Sequence, residues 1–128
     1  MLFFSGTIPE ETGNLHNLEL LHLERNHLTG YIPEKIFNIS SLSEIVVQWN
    51  QLSGNLPSIF SYGLPNLQEL NLGHNFFSGE ITGFISNSSK LAIINLSSNN
   101  LSGRIPESLG ELSFLQVLVL QDNNFEPT

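Results

Sequence analysis

Five asparagines recur at near-equal intervals along the chain: Asn26, Asn50, Asn75, Asn99 and Asn123, spaced 24, 25, 24 and 24 residues apart. Five glycines keep the same beat, at Gly6, Gly30, Gly54, Gly79 and Gly103. Each asparagine is preceded by one apolar frame: Leu18-x-x-Leu21-x-Leu23, Leu42-x-x-Ile45-x-Val47, Leu67-x-x-Leu70-x-Leu72, Leu91-x-x-Ile94-x-Leu96 and Leu115-x-x-Leu118-x-Leu120. A fixed period of this size means one structural unit repeated, each copy covering its apolar face only by stacking on its neighbours. The chain is therefore constrained to a solenoid, with residues 1–128 forming one array of about five repeats of 24–25 residues.

Within each frame apolar residues alternate with period two, which predicts one short strand per repeat with one face in the core. Identical strands stacked side by side make a parallel sheet with a spacing of about 4.8 Å. Where each strand ends the backbone must turn, leaving buried N–H and C=O groups to be satisfied. An asparagine amide carries both donors and an acceptor on a short stem, so Asn26, Asn50, Asn75, Asn99 and Asn123 are expected to form a structural ladder. After each asparagine comes a second element: Phe4-Ser5-Gly6-Thr7-Ile8-Pro9, Leu28-Thr29-Gly30-Tyr31-Ile32-Pro33, Leu52-Ser53-Gly54-Asn55-Leu56-Pro57 and Leu101-Ser102-Gly103-Arg104-Ile105-Pro106. Glycine permits a tight bend, and proline fixes φ and ends pairing. The residues that follow, such as Glu107–Leu112, suit a short 3₁₀ or α turn. Thr82 stands where the fourth element's proline is due, and a softened turn is expected there.

Together these elements read L-x-x-L-x-L-x-x-N-x-L-x-G-x-I-P, which resembles the plant-specific leucine-rich repeat over residues 3–125. The resemblance implies an α/β solenoid: a right-handed superhelix with a parallel concave sheet, short 3₁₀ or α turns on the convex side, and a second small sheet at the L-x-G-x-I-P element. The order of Ile36–Leu42, then Leu64–Gly73 with one extra residue within Ser61-Tyr62-Gly63, then Ile85–Leu91 is similar to the ectodomains of plant immune receptor kinases that sense flagellin or elongation factor Tu. Such a parent carries a Ser/Thr kinase outside this segment. The family's terminal caps bring paired cysteines; this chain has no cysteine, and Leu2 and Pro127 stand where a further asparagine and glycine would fall. It reads as uncapped at both ends, a slice of a longer array. Met1–Gly6 lacks the basic n-region of a signal peptide and reads as repeat.

Only Arg25, Lys35, Lys90 and Arg104 are basic, and the formal net charge is -8. That excludes neutralising a row of phosphates and disfavours an anionic membrane surface. A neutral or basic partner fits. Without cysteine there is no disulfide, thiolate metal site or cysteine nucleophile. The frame places Leu20, His22, Glu24 and Arg25 outward, then Glu44, Val46, Gln48 and Trp49, then Glu69, Asn71, Gly73 and His74, then Ile93, Asn95, Ser97 and Ser98, then Val117, Val119, Gln121 and Asp122. In the family peptide ligands and co-receptors lie along this face, which makes His22, Glu24, Glu44, Val46, Gln48, Trp49, Glu69, Asn71 and His74 the candidate ligand-binding residues.

Trp49 has two readings of equal weight: a binding anchor, or a side chain lying across neighbouring strands as local cover. Glu44 and Glu69 share a frame position on adjacent strands, where they receive a basic ligand group or stand as two solvated charges, the commoner case. His22 and His74 are two strands apart, without a third ligand for a metal. His16 and His27 fall in connecting segments. No strained nucleophile turn, phosphate loop or G-x-G-x-x-G occurs, so no catalytic residue, metal or cofactor is assigned. Four N-glycosylation sequons begin at Asn38, Asn87, Asn95 and Asn100; the first two lie in connecting segments, and Asn95 lies on the strand face. The function implied is recognition of a peptide or protein, with a co-receptor, by the extracellular part of a plasma-membrane receptor kinase. The alternatives are a soluble polygalacturonase-inhibitor-like protein and a truncated nonfunctional copy.

Overall fold

The computed structural model describes residues 3–56 and 63–127. Among the described residues, eleven strands fall into two parallel sheets, one for each half of the repeat. The leucine frames form β2 (Leu20–His22), β4 (Glu44–Val46), β6 (Glu69–Asn71), β8 (Ile93–Asn95) and β10 (Val117–Val119), paired in the order β10-β8-β6-β4-β2. The glycine elements form β1 (Ser5–Thr7), β3 (His27–Gly30), β5 (Gln51–Asn55), β7 (Phe76–Glu80), β9 (Asn100–Gly103) and β11 (Asn124–Phe125), paired in chain order. Neighbouring strands of each sheet come from consecutive repeats, so the array grows by one coil at a time.

The register follows the frame. Leu21, Ile45, Leu70, Ile94 and Leu118 are aligned across the first sheet. The first four are buried, whereas Leu118 on the edge strand β10 is 41% exposed, because no described coil covers it. Leu28, Leu52, Phe77 and Leu101 fill the space behind the second sheet. Phe77 takes a leucine position without being expelled, and is fully buried.

The asparagines tie the two sheets together. Asn75 Oδ1 accepts from the Leu52 amide at 2.9 Å, and its Nδ2 donates to the carbonyls of Val47, Leu72 and Gly73 at 3.1, 3.2 and 3.1 Å. Asn50 accepts from Leu28 N and donates to Leu23 and Val47. Asn99 accepts from Phe77 N, Asn123 from Leu101 N, and Asn26 from Phe4 N. Each amide thus bonds its own coil and the coil before it.

The residue just before each ladder asparagine is left-handed: Arg25 (φ 58°), Trp49 (60°), His74 (54°), Ser98 (53°) and Asp122 (60°). A non-glycine residue there is strained by about 1–2 kcal/mol, and the asparagine bonds over-determine it. The five repeat glycines are also left-handed, with φ from 75° to 118°; at Gly30 a Cβ would in addition stand 3.2 Å from Thr7 Cγ2.

Short 3₁₀ segments, Glu10–Asn14, Glu34–Asn38, Gly83–Asn87 and Glu107–Glu111, return the chain to the next strand. Pro9, Pro33 and Pro106 precede three of them, Pro9 and Pro106 in extended conformation and Pro33 at φ -54° and ψ 131°. Thr82 precedes the fourth with φ -94° and ψ 166°, so the turn is retained rather than softened. What the proline's absence leaves is a buried threonine hydroxyl with no hydrogen-bond partner. The extra residue of the third repeat, placed within Ser61–Gly63, falls largely outside the described residues, as do Met1, Leu2 and Pro57. Among the described residues no helix is long and apolar enough to cross a membrane.

Candidate functional site

The outer face of the first sheet carries two rows of side chains that run across the strands. Row one is Leu20, Glu44, Glu69, Ile93 and Val117; row two is His22, Val46, Asn71, Asn95 and Val119. Row one is accessible along its length, with Leu20 52% exposed and Val117 43% exposed at its ends. Row two is not. Val46 is only 8% exposed and Asn71 9%, which corrects the expectation that both project to solvent. On a central parallel strand a short side chain is flanked about 4.8 Å away on either side, and here longer neighbours close over it. Gln48 reaches Asn71, whose Nδ2 donates to Gln48 Oε1 at 2.8 Å, while Asn71 Oδ1 accepts from Gly73 N. Gly73 and Ser97, also placed outward by the frame, are buried for the same reason.

The charged residues gather at one end of this face. His22 Nε2 and Glu44 Oε1 are 2.8 Å apart, both partly exposed. Glu69 lies directly opposite Glu44 in the sheet register. Burial, and then the Glu44 charge, push its carboxyl above the ordinary value, with His22 acting weakly in the other direction. Glu24 holds one carboxylate oxygen buried without a hydrogen-bond partner.

Trp49 sits on the rim, at the left-handed position that ends its strand. Its indole stacks on the His74 imidazole, centroids 3.7 Å apart and planes 7° from parallel. The Arg25 guanidinium lies over the ring at 5.7 Å. Arg25 belongs to the preceding coil and His74 to the following one, so the tryptophan bridges three coils along the rim. The indole thus lies across neighbouring coils while staying 46% exposed, which is compatible with both readings the sequence leaves open. The repeat frame puts Arg25, Trp49 and His74 at one position of adjacent coils, but it gives no signal for the left-handed turns that bring these side chains face to face.

The sequons divide by environment. Asn38 and Asn87 are exposed at the ends of their 3₁₀ segments, away from the strand face. Asn95 stands in row two with Oδ1 accepting from Ser97 N at 3.0 Å and Ser97 Oγ at 2.7 Å. Asn100 is exposed, its Oδ1 accepting from Asn124 Nδ2 at 2.6 Å. A separate hollow of about 510 Å³ opens beside the second sheet, lined among others by Glu10, Tyr31, Ile32, Glu34, Lys35 and Phe37. There the Tyr31 hydroxyl donates to Glu10 Oε1 at 3.1 Å, a bond to the protonated phenol that raises its pKa. The repeat frame marks strand faces only, so this hollow had no sequence signal. Among the described residues no cluster of three His, Cys, Asp or Glu is disposed to hold a metal ion.

The array matches known proteins at each level. Two family patterns, both described as leucine rich repeat, match residues 65–125 and 17–39. No curated protein matches the sequence. Among solved structures, the Arabidopsis receptor kinase HAESA, in complex with the peptide hormone IDA and the co-receptor SERK1, is 35% identical with a TM-score of 0.90 over 96% of this chain. This chain spans 20% of that one. The plant peptide hormone receptor RGFR1, in complex with RGF2, is 29% identical with a TM-score of 0.71, over 96% of this chain and 23% of that one. The leucine-rich-repeat ectodomain of the receptor kinase SOBIR1 from Arabidopsis thaliana is 30% identical with a TM-score of 0.82, over 98% of this chain and 70% of that one. The fold is thus that of the leucine-rich-repeat ectodomains of plant receptor kinases. From the asparagine ladder and twin parallel sheets to the match with SOBIR1, the chain belongs to the leucine-rich-repeat family, with ectodomains of plant receptor kinases as its structural counterparts.

Proposed function

We propose that this chain is a ligand-binding segment of the extracellular ectodomain of a plant receptor-like kinase. Row one of the first sheet receives a peptide or protein ligand for signalling or immune perception, and a co-receptor contacts the rim. The observation that carries this reading is the unbroken accessible row from Leu20 to Val117, mixing apolar and acidic groups on a scaffold that superposes on a peptide-bound receptor. A flat sheet offers no closed cavity for a small molecule; it suits an extended partner whose side chains are read one strand at a time. In this reading glycans occupy Asn38 and Asn87, at the turns remote from the row, and leave Asn95 bare. The parent's apoplastic face at the plasma membrane supplies the secretory route that such glycans require.

The test is to secrete the 128-residue chain from plant cells, pan it against a displayed library of random 12-residue peptides, and compare it with the doubly substituted Ile93→Arg, Val117→Arg chain, in which the row is filled. Peptides that bind the wild type and fail on the filled row support the reading. Peptides that bind both alike place recognition elsewhere and refute it.

A further inference from the structure

The order of groups along row one specifies what lies on it, and the following inference rests on the peptide-binding reading above. Glu44 and Glu69 are opposed like charges on adjacent strands, an arrangement that disfavours itself unless a cation intervenes. Among the described residues no lysine or arginine stands between them. His22 bonds Glu44, and only its charge is felt at Glu69. Arg25 is stacked over Trp49, and Arg104 faces Glu126 at 3.6 Å. Lys90 Nζ donates to Asn66 Oδ1. Among the described residues no side chain bonds the Glu69 carboxylate. Glu24 adds a buried oxygen with no partner, close enough for its charge to be felt at Glu69.

Beyond Glu69 the row turns apolar, at Ile93 and then Val117. The spacings match an extended chain laid across the strands. With strands about 4.8 Å apart, the midpoint of the two carboxylates lies about 7 Å from Ile93 and about 12 Å from Val117 along the row. In an extended peptide rising about 3.3 Å per residue, same-side groups recur at about 6.6 and 13 Å, two and four residues away.

We infer that row one binds a peptide in extended form, with a lysine or arginine over Glu44 and Glu69 and apolar side chains two and four residues away over Ile93 and Val117. The charge is complementary, since the protein carries net -8 and presents no Lys or Arg in the row itself. A second folded copy cannot supply the ligand. The chain does contain the pattern at Lys35-x-Phe37-x-Ile39, at Lys90-x-Ala92-x-Ile94 and, in the opposite direction, at Leu21-x-Leu23-x-Arg25, but Phe37, Ile39, Ile94 and Leu21 are all core residues.

Panning the wild-type chain and the Glu44→Gln, Glu69→Gln chain against the same random 12-residue library tests this, with far-UV circular dichroism confirming that the near-isosteric variant is folded. The wild type is expected to enrich peptides with a basic residue two and four positions from apolar ones. The variant is expected to bind those peptides about tenfold or more weaker, the loss of about 1.4 kcal/mol of attraction. Ile93→Ser with Val117→Ser should instead erase the apolar preference and keep the basic one. Enriched peptides without a basic residue, or equal binding to the double-Gln chain, overturn this inference while peptide binding stands. No enrichment above a blank surface overturns both.

Discussion

Replacing Asn75 by alanine removes the central rung of the ladder, and its cost can be worked out bond by bond. The three carbonyls it serves each keep another donor: Val47 O keeps Asn50 Nδ2 at 3.0 Å, Leu72 O keeps Asn99 Nδ2 at 2.9 Å, and Gly73 O keeps Trp49 N at 3.0 Å. The Leu52 amide loses its acceptor, Asn75 Oδ1, at a buried site. An orphaned buried N–H costs about 1–3 kcal/mol and each redundant bond lost costs about 0.5 kcal/mol, so the variant should lose about 3–4 kcal/mol. For a chain of this size that lowers the melting midpoint by roughly 10–15 °C. Asn26→Ala is the internal control, since its acceptor bond goes to the exposed Phe4 amide, which water satisfies instead; it should lose only about 1 kcal/mol. Urea titration followed by far-UV circular dichroism measures both, and hydrogen exchange at the Leu52 amide reads the local event directly. Equal destabilisation of the two variants, or unchanged protection at Leu52, would refute the orphaned-donor argument.

Four further outcomes follow from the structure. Because Glu69 has its carboxyl raised above the ordinary 4.5, folding favours the protonated form. The stability this brings is complete below that value and is lost as pH rises through the raised one. Glu69→Gln should therefore melt above the wild type at pH 7 and lose that advantage near pH 4 in parallel calorimetric scans. A double-mutant cycle of Trp49→Ala and His74→Ala should give a coupling of about 0.5–1.5 kcal/mol for the stacked pair; additive losses would mean the stack is not populated. Gly103→Ala, at φ 75°, should destabilise by about 1 kcal/mol in urea titration, whereas Gly110→Ala, with no atom within 4 Å of the new Cβ, should stay within about 0.5 kcal/mol of wild type. Peptide mapping of chain secreted from plant cells should find glycans at Asn38 and Asn87 and none at Asn95, whose amide oxygen is engaged by Ser97; a glycosylated Asn95 would contradict an open ligand row.

The amino-acid order alone determined the solenoid. Period-two alternation inside a 24-residue period leaves only stacked parallel strands, and the recurrence of glycine, usually with proline three residues on, between successive frames marks a second element. These signals are local and repeated five times, so noise in one copy, such as Thr82 or Phe77, does not hide them. Only the tertiary structure decided which outward positions reach solvent. Val46 and Asn71 have the same frame parity as His22, yet are covered because burial on a sheet face depends on side-chain sizes one and two strands away, residues distant in the chain. The left-handed turns were equally hidden, since Arg25, Trp49, His74, Ser98 and Asp122 share no backbone preference that would announce them. Their conformation is imposed by the neighbouring asparagine's bonds between coils, and those bonds exist only once the coils are stacked.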